Sequence, residues 1–293
     1  MTASPAATAV GSIAILLWSC LALLTAASGK VPPFELAAMT FAIGGGIGFI
    51  SMVVRGRLDA LKQPLPVWLL GVGGLFGYHA LYFAALRLSP PAEAGLIAYL
   101  WPLLIVVFSA LLPGEALAGR HVVGALLGFC GVFVLIVGGK VVQGAGLGFD
   151  RQYLPGYLLA LGCAFVWSTY SVLSRRFRQV PSDAVAGFCL ATAVLAALCH
   201  FLFENAVAAA KPLEWAAILA LGLGPVGLAF YVWDYGVKRG DIRFLGVTSY
   251  AAPVVSTLIL VATGFAAATW SLALACALIV AGALVAGGTR PSK

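Results

Sequence analysis

Along this chain the apolar residues run on without interruption, rather than alternating as in a strand or striping one face as in a water-soluble helix. Ten such stretches stand out, at 8–27, 34–54, 66–87, 92–112, 121–139, 155–176, 183–203, 214–236, 244–263 and 270–287. Each is near the ~20 apolar residues that cross a bilayer as a helix. Polar and helix-breaking residues punctuate them: Ser28-Gly29-Lys30-Val31-Pro32-Pro33, Arg55-Gly56-Arg57-Leu58-Asp59 and Ser89-Pro90-Pro91. Glycines at short spacing, as at Gly124, Gly128 and Gly131, predict helices that pack closely in lipid. Continuous runs exclude a transmembrane β-barrel, whose strands alternate. The first stretch is expected to be a retained helix, because residues 1–12 contain no Lys or Arg and so no basic leader region.

Composition agrees. Of 293 residues 62% are hydrophobic and 9% charged, against about 25% charged in a soluble domain. A soluble enzyme is excluded, and the residues left between spans are too few for a folded extramembrane domain. The expected fold is an all-α integral membrane protein, one transmembrane domain over 1–293. The net charge of +7 does not indicate a nucleic-acid partner, because the basic residues lie in short loops and form no stripe. One side of the expected membrane holds twelve cations: Arg55, Arg57, Lys62, Arg120, Arg175, Arg176, Arg178, Lys238, Arg239, Arg243, Arg290 and Lys293. The other holds five: Lys30, Arg87, Lys140, Arg151 and Lys211. The excess of cations on the inner face puts both termini in the cytoplasm. Six single cysteines within apolar stretches suggest small buried hydrophobes rather than a disulfide framework or metal site. No cofactor is expected.

The two halves resemble each other at matched places. Ala14 to Ser19 in span 1 is similar to Cys163 to Ser168 in span 6, an offset of 149 residues. Gly95 to Pro102 in span 4 is similar to Gly246 to Pro253 in span 9, and Gly131 to Val134 to Gly282 to Val285, both at an offset of 151. Repeats over 8–140 and 155–287 follow. Five spans per repeat is odd, so the second must enter the membrane upside down. Inverted repeats characterise alternating-access transporters, with the substrate near the midplane at the repeat interface.

Ten short spans, the five-plus-five arrangement and the Tyr/Pro motifs of spans 4 and 9 resemble the drug/metabolite transporter superfamily. Gly77-Tyr78-His79-Ala80-Leu81-Tyr82-Phe83 and Glu93-Ala94-Gly95-Leu96-Ile97-Ala98-Tyr99-Leu100-Trp101-Pro102 look more particularly like its aromatic amino acid exporters, the YddG type. The resemblance implies a multi-pass protein of the bacterial inner membrane with a central cavity. It also implies export of aromatic and related amino acids, and in some members removal of methyl viologen.

Trp18 and Trp167 fall near the middle of their spans. His79 and Tyr99 fall ~12 and ~10 Å below the outer face, at 1.5 Å per residue. Tyr78, His79 and Tyr82 share one helical face, and Tyr231 and Tyr250 lie at equivalent depth from the other side. An outer aromatic layer, a midplane pair and an inner gating layer are thus expected. Trp18, Trp167, Tyr82 and Trp101 offer rings to an aromatic substrate. His79, Tyr78, Tyr99, Ser19 and Ser168 are candidate partners for its carboxylate and ammonium. On a regular helix only one of Tyr99 and Trp101 faces the cavity. Pro102, Pro253 and Pro225 break their spans, and irregular backbone is tolerated where it lines a cavity. Trp68, Tyr153, Tyr157 and Trp215 read as interfacial belt. Asp234, the one acid placed inside a span, reads as an interfacial pair with Lys238 or as a proton relay. Glu93 and Arg87 read as solvated at the outer mouth.

The expected activity is export of aromatic and other neutral amino acids by alternating access and facilitated diffusion, by a monomer in lipid. The alternative is a proton-coupled exporter of drugs or organic cations. An intramembrane enzyme is disfavoured, since His79, His121 and His200 lie on different spans.

Overall fold

The structure, a computed structural model, describes residues 3–112, 118–142, 144, 150–207, 209–264 and 268–287. Arg290, Lys293 and residues 145–149 of the central break lie outside the described residues. Fourteen α-helices follow one another among those described: α1 Pro5–Ser19, α2 Leu21–Ala27, α3 Pro33–Val54, α4 Leu65–Leu88, α5 Pro91–Ala98, α6 Trp101–Ser109, α7 Gly119–Val142, α8 Leu154–Ser174, α9 Val185–Phe203, α10 Pro212–Leu223, α11 Ala229–Arg239, α12 Ile242–Thr248, α13 Ala251–Ala262 and α14 Trp270–Gly287. A π-helical turn, Gly224–Leu228, joins α10 to α11. Among the described residues nine segments are long and apolar enough to cross a membrane, and Glu93–Ser109 is a shorter apolar tenth. The fold is that of a helical membrane protein. Span 4 ends at Ser109 rather than at 112, and span 8 continues to Arg239 rather than to 236.

Prolines start many of these helices, where a missing N–H costs nothing. The α3 start is capped from a distance: the Glu204 carboxylate, just past α9, accepts from Phe34 N at 3.1 Å and Glu35 N at 3.2 Å. Gly56 ends α3 with φ 63°, a left-handed conformation open to glycine.

Helices α7 and α14 pack together, as do α3 with α9 and α6 with α12. Helix α4 packs on α8, and α1 on α11. In span numbers these are 5 with 10, 2 with 7, 4 with 9, 3 with 6 and 1 with 8. Adding five to each span of one half and subtracting five in the other maps this set onto itself. The breaks obey the same relation: α5 passes to α6 at Tyr99-Leu100, and α12 to α13 at Ser249-Tyr250, 150 residues later. Both turns tighten into i→i−3 bonds, Leu100 N to Ile97 O at 3.0 Å and Tyr250 N to Val247 O at 3.3 Å.

Glycine pairs set the closest approaches. A Cβ built on Gly44 would lie 2.6 Å from Cα of Gly227, and one on Gly124 2.6 Å from the carbonyl oxygen of Gly282. Gly11 and Gly236 hold α1 against α11 in the same way.

Charged residues occupy the helix ends, with corrections to the sequence reading. Glu93 is buried, not solvated, and accepts a 3.1 Å hydrogen bond from Tyr157. Tyr157 is itself buried rather than belt-like, because the first turn of α5 packs on α8. Arg87 is half-exposed and bonds Glu204 at 2.7 Å, and His200 Nδ1 lies 3.1 Å from the same carboxylate. Asp234 and Lys238 pair at 2.8 Å but are only 1% and 3% exposed. Ser182 donates to Asp234 at 2.6 Å and Lys238 to Val180 O at 3.1 Å. All six cysteines are free; Cys163 and Cys189 are buried, whereas Cys130 is exposed.

Gly236→Ala is expected to lower the thermal unfolding midpoint in detergent, by an overpacking cost of about 1–3 kcal/mol. Gly46→Ala, whose Cβ meets nothing within 4 Å, should leave the midpoint unchanged or raise it. Equal midpoints for the two variants would contradict the packing argument.

Candidate functional site

A cavity of ≈ 150 Å³ lies at the centre of the bundle, where the helix breaks meet. An apolar cavity of about this size admits a benzene ring in another protein. Its walls include Trp18 of α1, Tyr78, His79 and Tyr82 of α4, and Tyr99 and Trp101 on either side of the α5–α6 break. Trp167 of α8, Pro225 and Val226 of the π-helical turn, and Phe230 of α11 add to them, with Leu21, Gly95, Ala98 and Ala252 filling the gaps. Both Tyr99 and Trp101 face the cavity. The tightened turn between them cancels the opposition that a regular helix would impose.

Three lining indoles, Trp18, Trp101 and Trp167, form the floor, and a fourth, Trp233, packs against all three. Trp18 lies 5.6 Å from Trp167, 6.3 Å from Trp101 and 5.1 Å from Trp233, centroid to centroid. Trp101 to Trp167 is 6.3 Å, Trp101 to Trp233 5.9 Å and Trp167 to Trp233 6.2 Å. Every pair is thus within aromatic contact, mostly edge to face, the arrangement that the ring quadrupole favours. Trp233 is wholly buried beneath the cavity, its Nε1 donating to Ser171 Oγ at 3.1 Å. Phe230 stacks on Phe41 at 5.5 Å and 9°. Along the wall Tyr78 and Tyr82 stack at 6.0 Å.

His79 Nδ1 lies 2.7 Å from the Leu75 carbonyl oxygen, which only accepts, so Nδ1 carries a proton. In the neutral ring Nε2 is then an acceptor. The lining residues carry no formal charge apart from what His79 would acquire on protonation.

The breaks are closed by side chains reaching across. Tyr250 offers its hydroxyl oxygen to Leu103 N at 3.2 Å, at a turn where Pro102 has no N–H of its own. Ser168 donates to Trp101 O at 2.9 Å, and Trp18 Nε1 to Pro225 O at 3.1 Å. Pro253 sits one turn into α13, where its missing donor leaves Ser249 O to accept from Ala252 N at 3.1 Å.

Several candidates fall elsewhere. Ser19 is buried outside the lining and donates to Ile15 O at 2.8 Å. Ser168 is also outside it, with a second bond to Ala164 O at 2.6 Å. The expected inner aromatic layer is not assembled. Tyr231 bonds Gly44 O at 3.1 Å and lines a separate groove, while Tyr250 is buried in another cluster beside Phe129. Phe230 and Trp233 were missing from the sequence reading. The offset of 151 residues pointed to them, since it carries His79 to Phe230 and Tyr82 to Trp233.

The chain matches the EamA-like transporter family over residues 7–137 and 154–288. It is 61% identical over 281 residues to the "Aromatic amino acid exporter YddG" of Ancylobacter novellus, covering 96% of each chain. It is 28% identical over 261 residues to the protein of that name from Salmonella typhimurium, covering 87% of each. The Escherichia coli protein of that name is 27% identical over 266 residues, covering 86% of each. A solved crystal structure that is 61% identical superposes with a TM-score of 0.92 over 96% of both chains. The chain is a membrane transporter rather than an enzyme, and it belongs to the EamA-like transporter family.

Proposed function

We propose that this protein exports aromatic and other neutral amino acids across the bacterial inner membrane, both termini in the cytoplasm, by alternating access of the central cavity. The observation that carries the reading is a floor of three indoles, backed by a fourth, beneath an uncharged, hydrogen-bonding wall. The relatives named as aromatic amino acid exporters support it.

An aromatic amino acid joins a flat apolar ring to a zwitterion. Its ring inserts against Trp18, Trp101, Trp167 and Phe230, each edge or face contact adding ~0.5–1.5 kcal/mol beyond burial. Its ammonium donates to His79 Nε2, and the Tyr78, Tyr82 and Tyr99 hydroxyls donate to its carboxylate. A zwitterion brings no net charge, so a neutral wall with dipoles is enough to receive it. Smaller neutral amino acids use the same polar partners and forgo ring contacts.

The two matched stretches of the family and the self-mapping set of helix partnerships support inverted repeats over 8–140 and 155–287. Rocking one repeat against the other then exposes the cavity to either face. One chain encloses the whole cavity, which supports a monomer. Facilitated diffusion fits a lining that holds no acid among the described residues, since the Asp234 carboxylate is already paired with Lys238. The second reading is an exporter of flat organic cations, favoured by the indole faces. It lacks a carboxylate in the lining to balance the charge.

Trp167→Ala is expected to raise the half-saturating phenylalanine concentration roughly tenfold, by the loss of about 1.4 kcal/mol of ring contact. His79→Ala should lower transport while membrane insertion stays intact. Uptake kinetics unchanged in both variants would remove this site assignment. In proteoliposomes, phenylalanine counterflow should proceed without a pH gradient and resist excess methyl viologen. Strict dependence on an imposed proton gradient would contradict facilitated diffusion, and full competition by the cation would favour the second reading.

A further inference from the structure

A second cavity, ≈ 290 Å³ in volume, lies on the outer surface of the bundle between α3 and the π-helical turn of span 8. Along α3 it is lined by Gly44, Ile47, Gly48, Ser51 and Arg55. That spacing is one face of a helix, and the eleven rises from Gly44 to Arg55 span ~16 Å. This is close to the ~15 Å depth of one leaflet's hydrocarbon. The groove starts near the middle of α3, where Gly44 meets Gly227, and ends at the helix terminus with Arg55.

The opposite wall is Leu223 and Leu228, with the Tyr231 ring over Gly48. Ile47, Leu223 and Leu228 are 49%, 46% and 49% exposed, so the groove is open to the membrane along its length. At its end Arg55 and Arg57 share one carboxylate, Asp183, at 2.7 and 3.4 Å. Both guanidinium groups are about half-exposed. Two cations on one anion leave a net positive charge there. Lys62 is already matched by Asp59 at 2.6 Å and does not alter the balance. Each guanidinium has five N–H donors, so donors remain for an anion.

We propose that this groove is a binding site for one anionic phospholipid, its acyl chain along the Gly44–Ser51 face and its phosphate at Arg55 and Arg57. A free phosphate would use the arginines and leave the leaflet-deep apolar channel empty. A zwitterionic lipid would fill the channel without gaining from the uncompensated charge. Basic pockets between transmembrane helices hold anionic headgroups in this way. The site also has a bearing on the central cavity. Leu223 and Leu228 flank the π-helical turn whose Pro225 and Val226 line that cavity, and Pro225 accepts the Trp18 hydrogen bond. A lipid chain in the groove would brace that turn from behind.

The test is native mass spectrometry of the full-length protein in a neutral detergent, titrated with phosphatidylglycerol or with phosphatidylcholine of the same acyl chains. One phosphatidylglycerol should be retained at least tenfold more tightly than phosphatidylcholine. The double variant Arg55→Ala/Arg57→Ala should abolish that preference. Leu223→Trp, which fills the groove and keeps both arginines, should weaken retention at least tenfold, and it carries the test alone if the double variant does not fold. Inorganic phosphate should not displace the bound lipid. Equal retention of the two lipids, wild-type retention by folded Leu223→Trp, or displacement by inorganic phosphate would each overturn the proposal.

Discussion

In lipid every backbone N–H and C=O must find a partner within the protein, and this structure turns on how that demand is met where its helices break. A regular span meets it alone. Span 4 tightens at Tyr99-Leu100 and span 8 widens at Gly224–Leu228. At those places three side chains supply bonds: Tyr250 to Leu103 N, Ser168 to Trp101 O and Trp18 to Pro225 O. Each bond crosses from one half of the chain to the other. The breaks that open space for a cavity are therefore also the points at which the halves are tied, and two of the three bonds involve a tryptophan of the cavity floor.

The same demand explains where charge is allowed. Ionised groups sit at the ends of the bundle, in matched sets: Arg87 and His200 around Glu204, Lys238 against Asp234, Arg55 and Arg57 around Asp183. The middle is left to indoles, phenols and one imidazole. An unpaired buried charge there would cost several kcal/mol. A neutral cavity avoids that cost and, on the proposed reading, selects cargo whose charges cancel. Glycine contacts such as Gly11 with Gly236 let α1 and α11 meet backbone to backbone.

Much of this could be read from the residues because lipid imposes a simple code. Continuous apolar runs mark the spans, mid-span depth marks Trp18 and Trp167, and a shared helical face nearer the outer side marks Tyr78, His79 and Tyr82. What could not be read depends on local departures from the ideal helix. Tyr99 and Trp101 share a cavity only because the turn between them is tight. Ser19 and Ser168 look available by depth, but a helical hydroxyl readily bonds the carbonyl four residues back, and both do. Glu93 reads as solvated from its place at the outer mouth of span 4; its packing on α8 is a tertiary fact. Phe230 and Trp233 lie just past the π-helical turn, where counting at 3.6 residues per turn loses the face and the 151-residue offset is the signal that remains. Tyr231 and Tyr250 were paired by depth alone, yet their rings leave in different directions, one toward α3 and one toward α7.

The central claim is that a single cavity between two halves opens to both faces of the membrane. Ala98 lines that cavity without joining the aromatic floor. In a background with the native cysteines replaced by alanine, Ala98→Cys can be offered an impermeant maleimide from the outside of cells and, separately, from the cytoplasmic face in inverted vesicles. The account predicts labelling from both faces, slowed in each case by phenylalanine; labelling from one face alone, whatever the substrate concentration, would contradict it.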